Sequence, residues 1–259
     1  RGPDGLTGEA LARHYADEVK RAIDSLHADG LRLSALLVDT IFSSEGLPDV
    51  PPDFMRMAVD HVRNAGGLYI ADEVQPGFGR MGNHLWGYQH YGVVPDLVTL
   101  GKPMGNGHPL AGVIARPDIM SAFRNRVMYF NTFGGNPVSC AVGKAVLDIL
   151  KDERLMDNAR VVGDYVIAGL KRLQQQHTII GDVRGRGLFF GAELVRDRKT
   201  REPATEETKR LVNSMRERGV LLSRIGQYDN VLKMRPPMPF SRDNADLLLQ
   251  TLDEALLAM

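Results

Sequence analysis

Two short apolar runs in this sequence each end near a single charged residue and lead into a glycine-rich loop. The first lies in Leu68–Gly82 (LYIADEVQPGFGRMG) and ends at Asp72; the second lies in Leu97–Leu110 (LVTLGKPMGNGHPL) and ends at Lys102. Short apolar runs bounded by Gly or Pro are typical of buried parallel strands. Ligands of open α/β sheets bind just beyond the carboxyl ends of such strands. If the two strands are neighbours, we expect a carboxylate and an amine to face one crevice.

The two charges would be costly to bury at a strand end unless each has a partner there. Lys102 is either a solvated surface charge or a desolvated amine, whose lowered pKa lets it form a Schiff base with a carbonyl. Asp72 either caps the following loop or serves as an anion that keeps a cofactor ring nitrogen protonated. Enzymes that use pyridoxal 5'-phosphate (PLP) need both parts, so the pair favours that chemistry.

Other cofactor motifs fit the sequence poorly. A phosphate-binding loop at Lys102 would need glycine where Asp96 stands, and Ser or Thr where Pro103 stands. The segment 185–187 (GRG) precedes a predicted strand rather than a helix, which argues against a dinucleotide fingerprint. The seven histidines form no His-Glu-x-x-His motif and no Cys/His cluster, so we expect no dedicated metal site.

Composition limits the classes of partner. The 32 Lys and Arg residues balance the 32 Asp and Glu residues, which gives no net field for nucleic acid or an acidic membrane surface. A lone cysteine, Cys140, allows no disulfide within this sequence and fits a reducing compartment. No apolar run approaches the roughly 18–20 residues of a membrane span, and the first residues lack a signal-peptide core. We therefore expect a soluble, cytoplasmic protein.

The order of predicted elements is that of an α/β protein. A strand at Leu31–Thr40, a helix after Pro51 and a strand at Leu68–Val74 form a βαβ unit of a parallel sheet. The remaining predicted elements are a first helix capped near Thr7, strands at Leu97–Leu100 and Ala111–Ala115, helices from Pro137 and at Leu155–Gln176, strands within Ile179–Leu194, a helix at Glu206–Arg218, strands at Val220–Ser223 and Val231–Arg235, and a helix at Arg242–Leu257. This order predicts two domains, residues 1–165 and 166–259.

The string DEVQPGFGRMG, Asp72–Gly82, resembles the signature of the class III, fold-type I PLP-dependent aminotransferases. Gly101–Leu110 and Asn131–Leu150 (NTFGGNPVSCAVGKAVLDIL) extend the likeness in the expected order and spacing. The sequence looks most similar to the branch that holds alanine–glyoxylate aminotransferase 2 and the ethanolamine-phosphate phospho-lyases. The resemblance implies an α/β fold. It would contain the mostly parallel sheet of the PLP-binding large domain, N-terminally incomplete, and a small C-terminal α+β domain.

The resemblance also implies roles for five residues. Lys102 would carry the internal aldimine, a Schiff base, and would shuttle the proton between the substrate α-carbon and the cofactor. Asp72 would pair with the pyridine nitrogen, and Val74 would pack on one face of the ring. Gln75 would hydrogen-bond the phenolic oxygen. Thr132 would bind the cofactor phosphate of the neighbouring subunit, which implies a homodimer with shared active sites.

Two further residues would contact the substrate. Arg235 matches the arginine that receives the substrate carboxylate, a task suited to a bidentate pair; the alternative is a solvated strand arginine. The family's Glu-Pro-Ile-Gln-Gly segment appears here as 39–43 (DTIFS), so Asp39 and Phe42 put the pocket shape in doubt. Ser44 stands where ornithine and 4-aminobutyrate enzymes carry a glutamate that gates the arginine. Without that gate Arg235 would stay free, which argues against those two substrates.

Members of the family are longer than this sequence, which begins where their middle would be. We expect the N-terminal arm, the turn that cradles the cofactor phosphate and an aromatic residue on the other ring face to be absent. A fragment that lacks several strands of the main sheet would leave apolar sheet edges open. We therefore do not expect these residues alone to form a competent enzyme.

Three functions remain open. The first is a PLP-dependent transaminase that moves an amino group from a small-molecule amino acid or amine to a 2-oxo acid by a ping-pong mechanism. The second is a PLP-dependent phospho-lyase that eliminates phosphate and ammonia from a phospho-amine. The third is a catalytically silent PLP-fold module of a larger protein, against which the intact Asp72–Lys102 pair argues.

Overall fold

A computed structural model describes residues 5–259 of the chain. The contacts divide these residues into two compact units. Unit 1 contains the chain up to Thr40 together with Val50–Phe78 and Trp86–Ile149, and unit 2 contains Ile41–Asp49, Gly79–Leu85 and Leu150–Met259. The two domains expected at 1–165 and 166–259 stay a prediction for the whole protein. No helix among residues 5–259 has the length and apolar character needed to cross a membrane.

Unit 1 is built on a four-stranded sheet in the order β1-β2-β3-β4. Its strands are β1 (Ala35–Asp39), β2 (Leu68–Asp72), β3 (Leu97–Leu100) and β4 (Gly112–Ala115). β1 pairs with β2 and β2 with β3 in parallel, whereas β4 runs antiparallel to β3. The predicted βαβ unit and the mostly parallel sheet are therefore confirmed.

Four helices accompany this sheet: α1 (Gly8–Ala28), α2 (Phe54–Asn64), α3 (Pro117–Arg126) and α4 (Pro137–Asp152). α2 buries Met55, Ala58, Val59 and Val62, the i, i+3, i+4 and i+7 spacing of one helical face. α1 begins directly after Thr7, as predicted, but the Thr7 side chain makes no capping hydrogen bond. α2 ends before Gly66, whose φ of 80° suits a residue without a side chain.

Unit 2 is built on an antiparallel sheet in the order β5-β6-β9-β8. The strands are β5 (Ile180–Arg186), β6 (Phe189–Asp197), β8 (Ser223–Ile225) and β9 (Val231–Met234), and the short β7 (Glu202–Pro203) pairs with β6. Three helices, α5 (Leu155–Gln176), α6 (Thr205–Glu217) and α7 (Arg242–Leu257), complete the unit. This confirms the predicted α+β character of the C-terminal part.

The predicted strand at Val220–Ser223 is displaced toward the C-terminus. The amide of Val220 donates to the carbonyl of Met215 at 2.9 Å, and Gly219 has a φ of 89°. The chain after α6 therefore first completes a helix-terminating turn, and strand pairing begins only at Ser223.

The two faces of the β6 strand bury different parts of unit 2. Phe190 points into the main core with helices α5 and α7, whereas Phe189 belongs to a smaller cluster with Ile41, Leu47 and Met81. Successive strand residues point to opposite faces of a sheet, which separates these neighbours. The main core also contains Val162, Val166, Leu170, Ala192, Leu194, Leu211, Leu232, Leu248 and Leu252. The segments 41–49 and 79–85 thus belong to unit 2 because they supply the cluster around Phe189.

We predict that Gly163→Ala destabilises unit 2. A β-carbon at Gly163 in α5 would lie 2.1 Å from the carbonyl oxygen of Gly187, which is backbone and cannot move aside. Alanine normally favours a helix over glycine by up to about 1 kcal/mol, whereas overpacking costs about 1–3 kcal/mol. Thermal unfolding of the full-length protein should show a lower midpoint.

Gly143→Ala in α4 is the matched control. Its β-carbon would lie 2.8 Å from the end of the Leu110 side chain and in ordinary van der Waals contact, at 3.9 Å, with the carbonyl oxygen of Met104. A small change is expected for this variant, since a leucine side chain can adjust its rotamer. An equal loss in both variants would contradict the backbone-contact explanation for Gly163.

Candidate active site

Asp72 and Lys102 leave the same edge of the unit 1 sheet. β2 and β3 are parallel neighbours, and their register pairs Asp72 with Thr99. β3 ends at Leu100, so Lys102 follows Thr99 by three residues and begins a 3-10 turn, Lys102–Gly105. The structure therefore confirms that the two strands are neighbours with their carboxyl ends at one edge.

The chain turns directly after Asp72 and brings Val74 toward Lys102. Asp72 Oδ1 accepts a hydrogen bond from the amide of Val74 at 2.9 Å, and the amide of Glu73 donates to the carbonyl of Thr99 at 3.0 Å. A β-carbon built on Gly101 would touch both methyl groups of Val74 at 3.5 Å. Val74 therefore packs beside the backbone that precedes Lys102. Asp72, Val74 and Gln75 are half-buried.

The expected desolvation of Lys102 is wrong for this chain. Gly101 is buried, but Lys102 is exposed. The reason is local: the strand has ended two residues earlier, and Lys102 opens a turn at the surface of unit 1.

Hydrogen bonds connect the loop after Lys102 to the start of α4. His108 Nε2 lies 2.8 Å from the hydroxyl of Ser139, and the side-chain amide of Asn136 donates to the same hydroxyl at 3.0 Å. Thr132 precedes this helix and is exposed. The neighbouring Asn131 accepts amide hydrogen bonds from Phe133 and Gly134 at 3.1 and 2.9 Å, which fixes the turn that contains Thr132.

Glu73 is a residue of this edge that the sequence analysis missed. Its side chain is fully buried, unlike those of its neighbours Asp72 and Val74. One carboxylate oxygen accepts from the amide of Gly87 at 2.7 Å, and the other accepts from the amide of Tyr88 at 2.8 Å and the hydroxyl of Thr40 at 3.3 Å. Glu73 therefore fastens the end of β2 to the end of β1 and to the 3-10 turn Gly87–Tyr91.

Burial raises the pKa of Glu73 to about 7, because the desolvated carboxylate is only partly compensated by its three hydrogen bonds and is repelled by Asp39. Strand alternation was the available signal for this residue. Asp72 at one face of an extended chain places Glu73 at the other, inside unit 1.

The two predicted substrate residues, Ser44 and Arg235, lie in unit 2 and are exposed. The amide of Gly226 donates to the carbonyl of Ser44 at 3.2 Å. The guanidinium carbon of Arg235 lies 5.9 Å from the centre of the Phe189 ring, within cation–π range. Arg235 also lines an open groove of about 430 Å³ with apolar residues such as Leu222, Phe240 and Leu248. The predicted cofactor residues thus group in unit 1 and the predicted substrate residues in unit 2.

One edge of the unit 1 sheet carries the residue types that a PLP site requires. Asp72 ends one of two adjacent parallel strands, Lys102 follows the other, and Val74 packs beside Gly101. This donor set fits a cofactor that presents a ring nitrogen and an aldehyde.

Residues 7–256 match the family model described as aminotransferase class-III, so the chain belongs to this family. It is 42% identical over all of its 259 residues to "Alanine--glyoxylate aminotransferase 2 homolog 2, mitochondrial" of Arabidopsis thaliana, of which it covers 53%. The chain spans about half the length of the curated relatives it matches.

Two solved structures extend the comparison. A phospholyase from Arthrobacter in complex with phosphoethanolamine shares 46% identity and a TM-score of 0.96, covering 100% of this chain and 61% of the other. An amine transaminase from an uncultivated Pseudomonas species, in its PLP-bound form, shares 32% identity and a TM-score of 0.88, covering 100% of this chain and 59% of the other. The family uses pyridoxal phosphate, and the cofactor predicted from Asp72 and Lys102 is confirmed.

We predict that Glu73→Gln changes the pH dependence of stability. The pKa of Glu73 is about 7 in the folded protein, against an ordinary value of 4.5. The folded state therefore binds the proton more tightly, and this contribution is fully present below pH 4.5 and is lost as the pH rises through 7. Relative to the variant, the wild type should lose up to about 3 kcal/mol of stability between about pH 4.5 and 8.

Chemical denaturation of both full-length proteins across this range measures the difference. Groups that titrate in both proteins cancel in the subtraction, so a wild-type-minus-variant difference independent of pH would show that Glu73 does not titrate there. Glutamine also places an N–H donor against the amide of Gly87 or Tyr88, which lowers stability at every pH and leaves the slope unchanged.

Proposed function

We propose that the whole protein is a PLP-dependent transaminase. It would move an amino group from an amino acid or amine to a 2-oxo acid by a ping-pong mechanism. The observation that carries this proposal is the Asp72–Lys102 pair at adjacent parallel strand ends, within a chain of the class III family. Bound PLP supplies an electron sink for the bond that breaks at the substrate α-carbon.

The chain's own residues would divide the work. Asp72 is held by the Val74 amide at the sheet edge and would keep the ring nitrogen protonated. Val74 would pack against the ring and Gln75 would hydrogen-bond its oxygen. Lys102 would attach the cofactor and then move a proton at the substrate α-carbon. In unit 2, Arg235 would receive the substrate carboxylate, and Ser44 stands in place of the glutamate that gates the corresponding arginine in ornithine and 4-aminobutyrate enzymes.

A homodimer with shared active sites is part of this proposal. The segment around Thr132 exposes large apolar side chains, including Met128 at 96% and both Phe130 and Phe133 at 79%. Such a patch is costly in water and is typical of a surface that another chain covers. Thr132 lies within the patch and would reach the cofactor phosphate of the neighbouring subunit. A cytoplasmic location also stays a proposal; the Arabidopsis relative is named as mitochondrial.

A phospho-lyase is the second candidate, and a specific observation favours it. The Arthrobacter phospholyase in complex with phosphoethanolamine is 46% identical to this chain, with a TM-score of 0.96. Elimination would use the same sheet edge, because both reactions begin with removal of a proton from the carbon that bears the substrate amine. The two candidates differ in the group that leaves the substrate: an amino group is transferred in transamination, whereas phosphate and ammonia are eliminated by a phospho-lyase.

Single half-reactions separate the candidates. We expect the full-length protein, loaded with PLP and given an amino acid without an acceptor, to convert the cofactor to its amino form and to release no phosphate. The absorbance spectrum reports the first event, and a phosphate assay with phosphoethanolamine reports elimination. Phosphate release with the aldehyde form of the cofactor regenerated would favour the phospho-lyase and contradict the transaminase.

We predict that Lys102→Ala abolishes covalent attachment of PLP, because an alanine has no amine to react with the aldehyde. After borohydride treatment and dialysis, the variant should retain no cofactor, whereas the wild type should retain a reduced, covalently bound pyridoxyl adduct that is detected by mass spectrometry. Lys144→Ala is a matched control, since Lys144 is an exposed lysine of α4 that pairs with Asp148 at 2.6 Å. Retention of the adduct in Lys102→Ala would show that another lysine binds the cofactor.

A further inference from the structure

Arg80 joins strands β6 and β9 of unit 2 at the end where β9 leads into Arg235. Its Nη1 donates to the carbonyl of Leu188 at 3.2 Å and to the carbonyl of Pro236 at 2.7 Å. The amide of Leu188 donates in return to the carbonyl of Arg80 at 2.9 Å. Leu188 directly precedes β6 and Pro236 directly follows Arg235 after β9, so one guanidinium fixes both strand ends.

The contact leaves little freedom at the backbone of Arg80. Gly187 has a φ of 54°, and a β-carbon there would lie 2.4 Å from the Arg80 carbonyl oxygen. The β5–β6 turn and the 79–85 segment therefore touch backbone to backbone. A displacement of Arg80 would have to move Leu188, and with it the neighbouring Phe189.

The guanidinium group of Arg235 lies over the ring of Phe189. The ring is fully buried, the Arg235 guanidinium carbon is 5.9 Å from its centre, and Lys233 Nζ is 5.4 Å from it. Arg80 thus fixes Leu188, which precedes Phe189, and Pro236, which follows Arg235.

Holding the two strand ends requires hydrogen-bond donors but does not require the positive charge of Arg80. Among residues 5–259 no carboxylate forms a salt bridge with Arg80, whose recorded partners are neutral carbonyls. Burial, together with the positive charge of Arg235, lowers the pKa of Arg80 to about 10. A neutral donor would bind the same carbonyls without this repulsion. A substrate carboxylate bound at Arg235 would reduce this repulsion.

We propose that Arg80 is a positioning residue for Arg235 and that it adds to the positive potential which selects a substrate bearing a carboxylate. This inference rests on the proposed function, which gives Arg235 the substrate carboxylate. Arg80 acts through Arg235 and Phe189 and forms no contact with the reacting atoms. It therefore determines affinity for 2-oxo acids and amino acids more than the rate of the chemical step.

The test compares Arg80→Lys and Arg80→Gln with the wild type in the full-length, PLP-loaded protein. Lysine keeps the charge without the guanidinium geometry, and glutamine keeps a neutral donor without the charge. We expect KM for pyruvate as acceptor to rise about tenfold or more in each variant, with kcat within about threefold, as expected for lost substrate binding. Glutamine should also reduce the dependence of KM on salt, because it removes a charge.

Arg184→Lys is the control for the loss of a half-buried arginine. Arg184 lies in β5 of the same sheet, pairs with Asp182 and Glu193, and donates to the carbonyl of Gly46 at 2.8 Å. Its replacement should leave KM for pyruvate unchanged while lowering thermal stability. Equal KM changes in the Arg80 and Arg184 variants would overturn the inference, since they would indicate a general effect on the fold.

A double-mutant cycle with Arg235→Ala gives the decisive result. If Arg80 acts through Arg235, Arg80→Gln should change KM less than about twofold once Arg235 is gone. The same increase in both backgrounds would overturn the inference and leave the proposed function standing. Absence of amino transfer in the wild type would instead remove the proposed function, and the inference with it.

Discussion

The parallel pairing of β2 with β3 is the constraint on which the rest of unit 1 depends. Its register sets Asp72 opposite Thr99, and the Glu73 amide continues the ladder by one hydrogen bond beyond the strand. A slip of one residue would exchange the positions of Asp72 and Glu73 between the two faces of the sheet. Asp72 would then be buried, and Glu73, which fastens three backbone segments, would lie on the opposite face of the sheet.

Unit 2 solves a different problem with an antiparallel sheet. Its core face is closed by helices, while its other face carries Phe189 and the cationic side chains of Lys233 and Arg235. Short segments from the N-terminal part cover the apolar portion of that face. An aromatic ring flanked by cations is suited to holding an arginine in a fixed orientation.

The elements that follow from periodicity were predictable from the sequence. Helices α5 and α7 have the predicted bounds, and the neighbouring strands that end at Asp72 and just before Lys102 follow from apolar runs bounded by glycine. Features that depend on long-range contacts were not predictable. The sequence gives no sign that Glu73 meets the amides of Gly87 and Tyr88, since those donors come from backbone rather than from a recognisable side chain. The same holds for Arg80 and the carbonyls it joins, which lie more than a hundred residues away. Exposure of Lys102 depends on what covers a turn, and local pattern does not determine it.

The two excursions of the chain, 41–49 and 79–85, have a consequence for how unit 2 is assembled. Ile41 and Met81 are synthesised long before Phe189, the residue against which they pack. These early segments must wait for more than a hundred further residues before their loops can close, and such closure is slow because its entropy is lost before the contacts form. A gene fragment that starts at residue 150 would encode the whole small sheet but would lack the segments 41–49 and 79–85, which cover one of its faces. Unit 2 is compact in space without being a module in the gene, so shuffling or excision at a single point would separate Arg235 from Arg80.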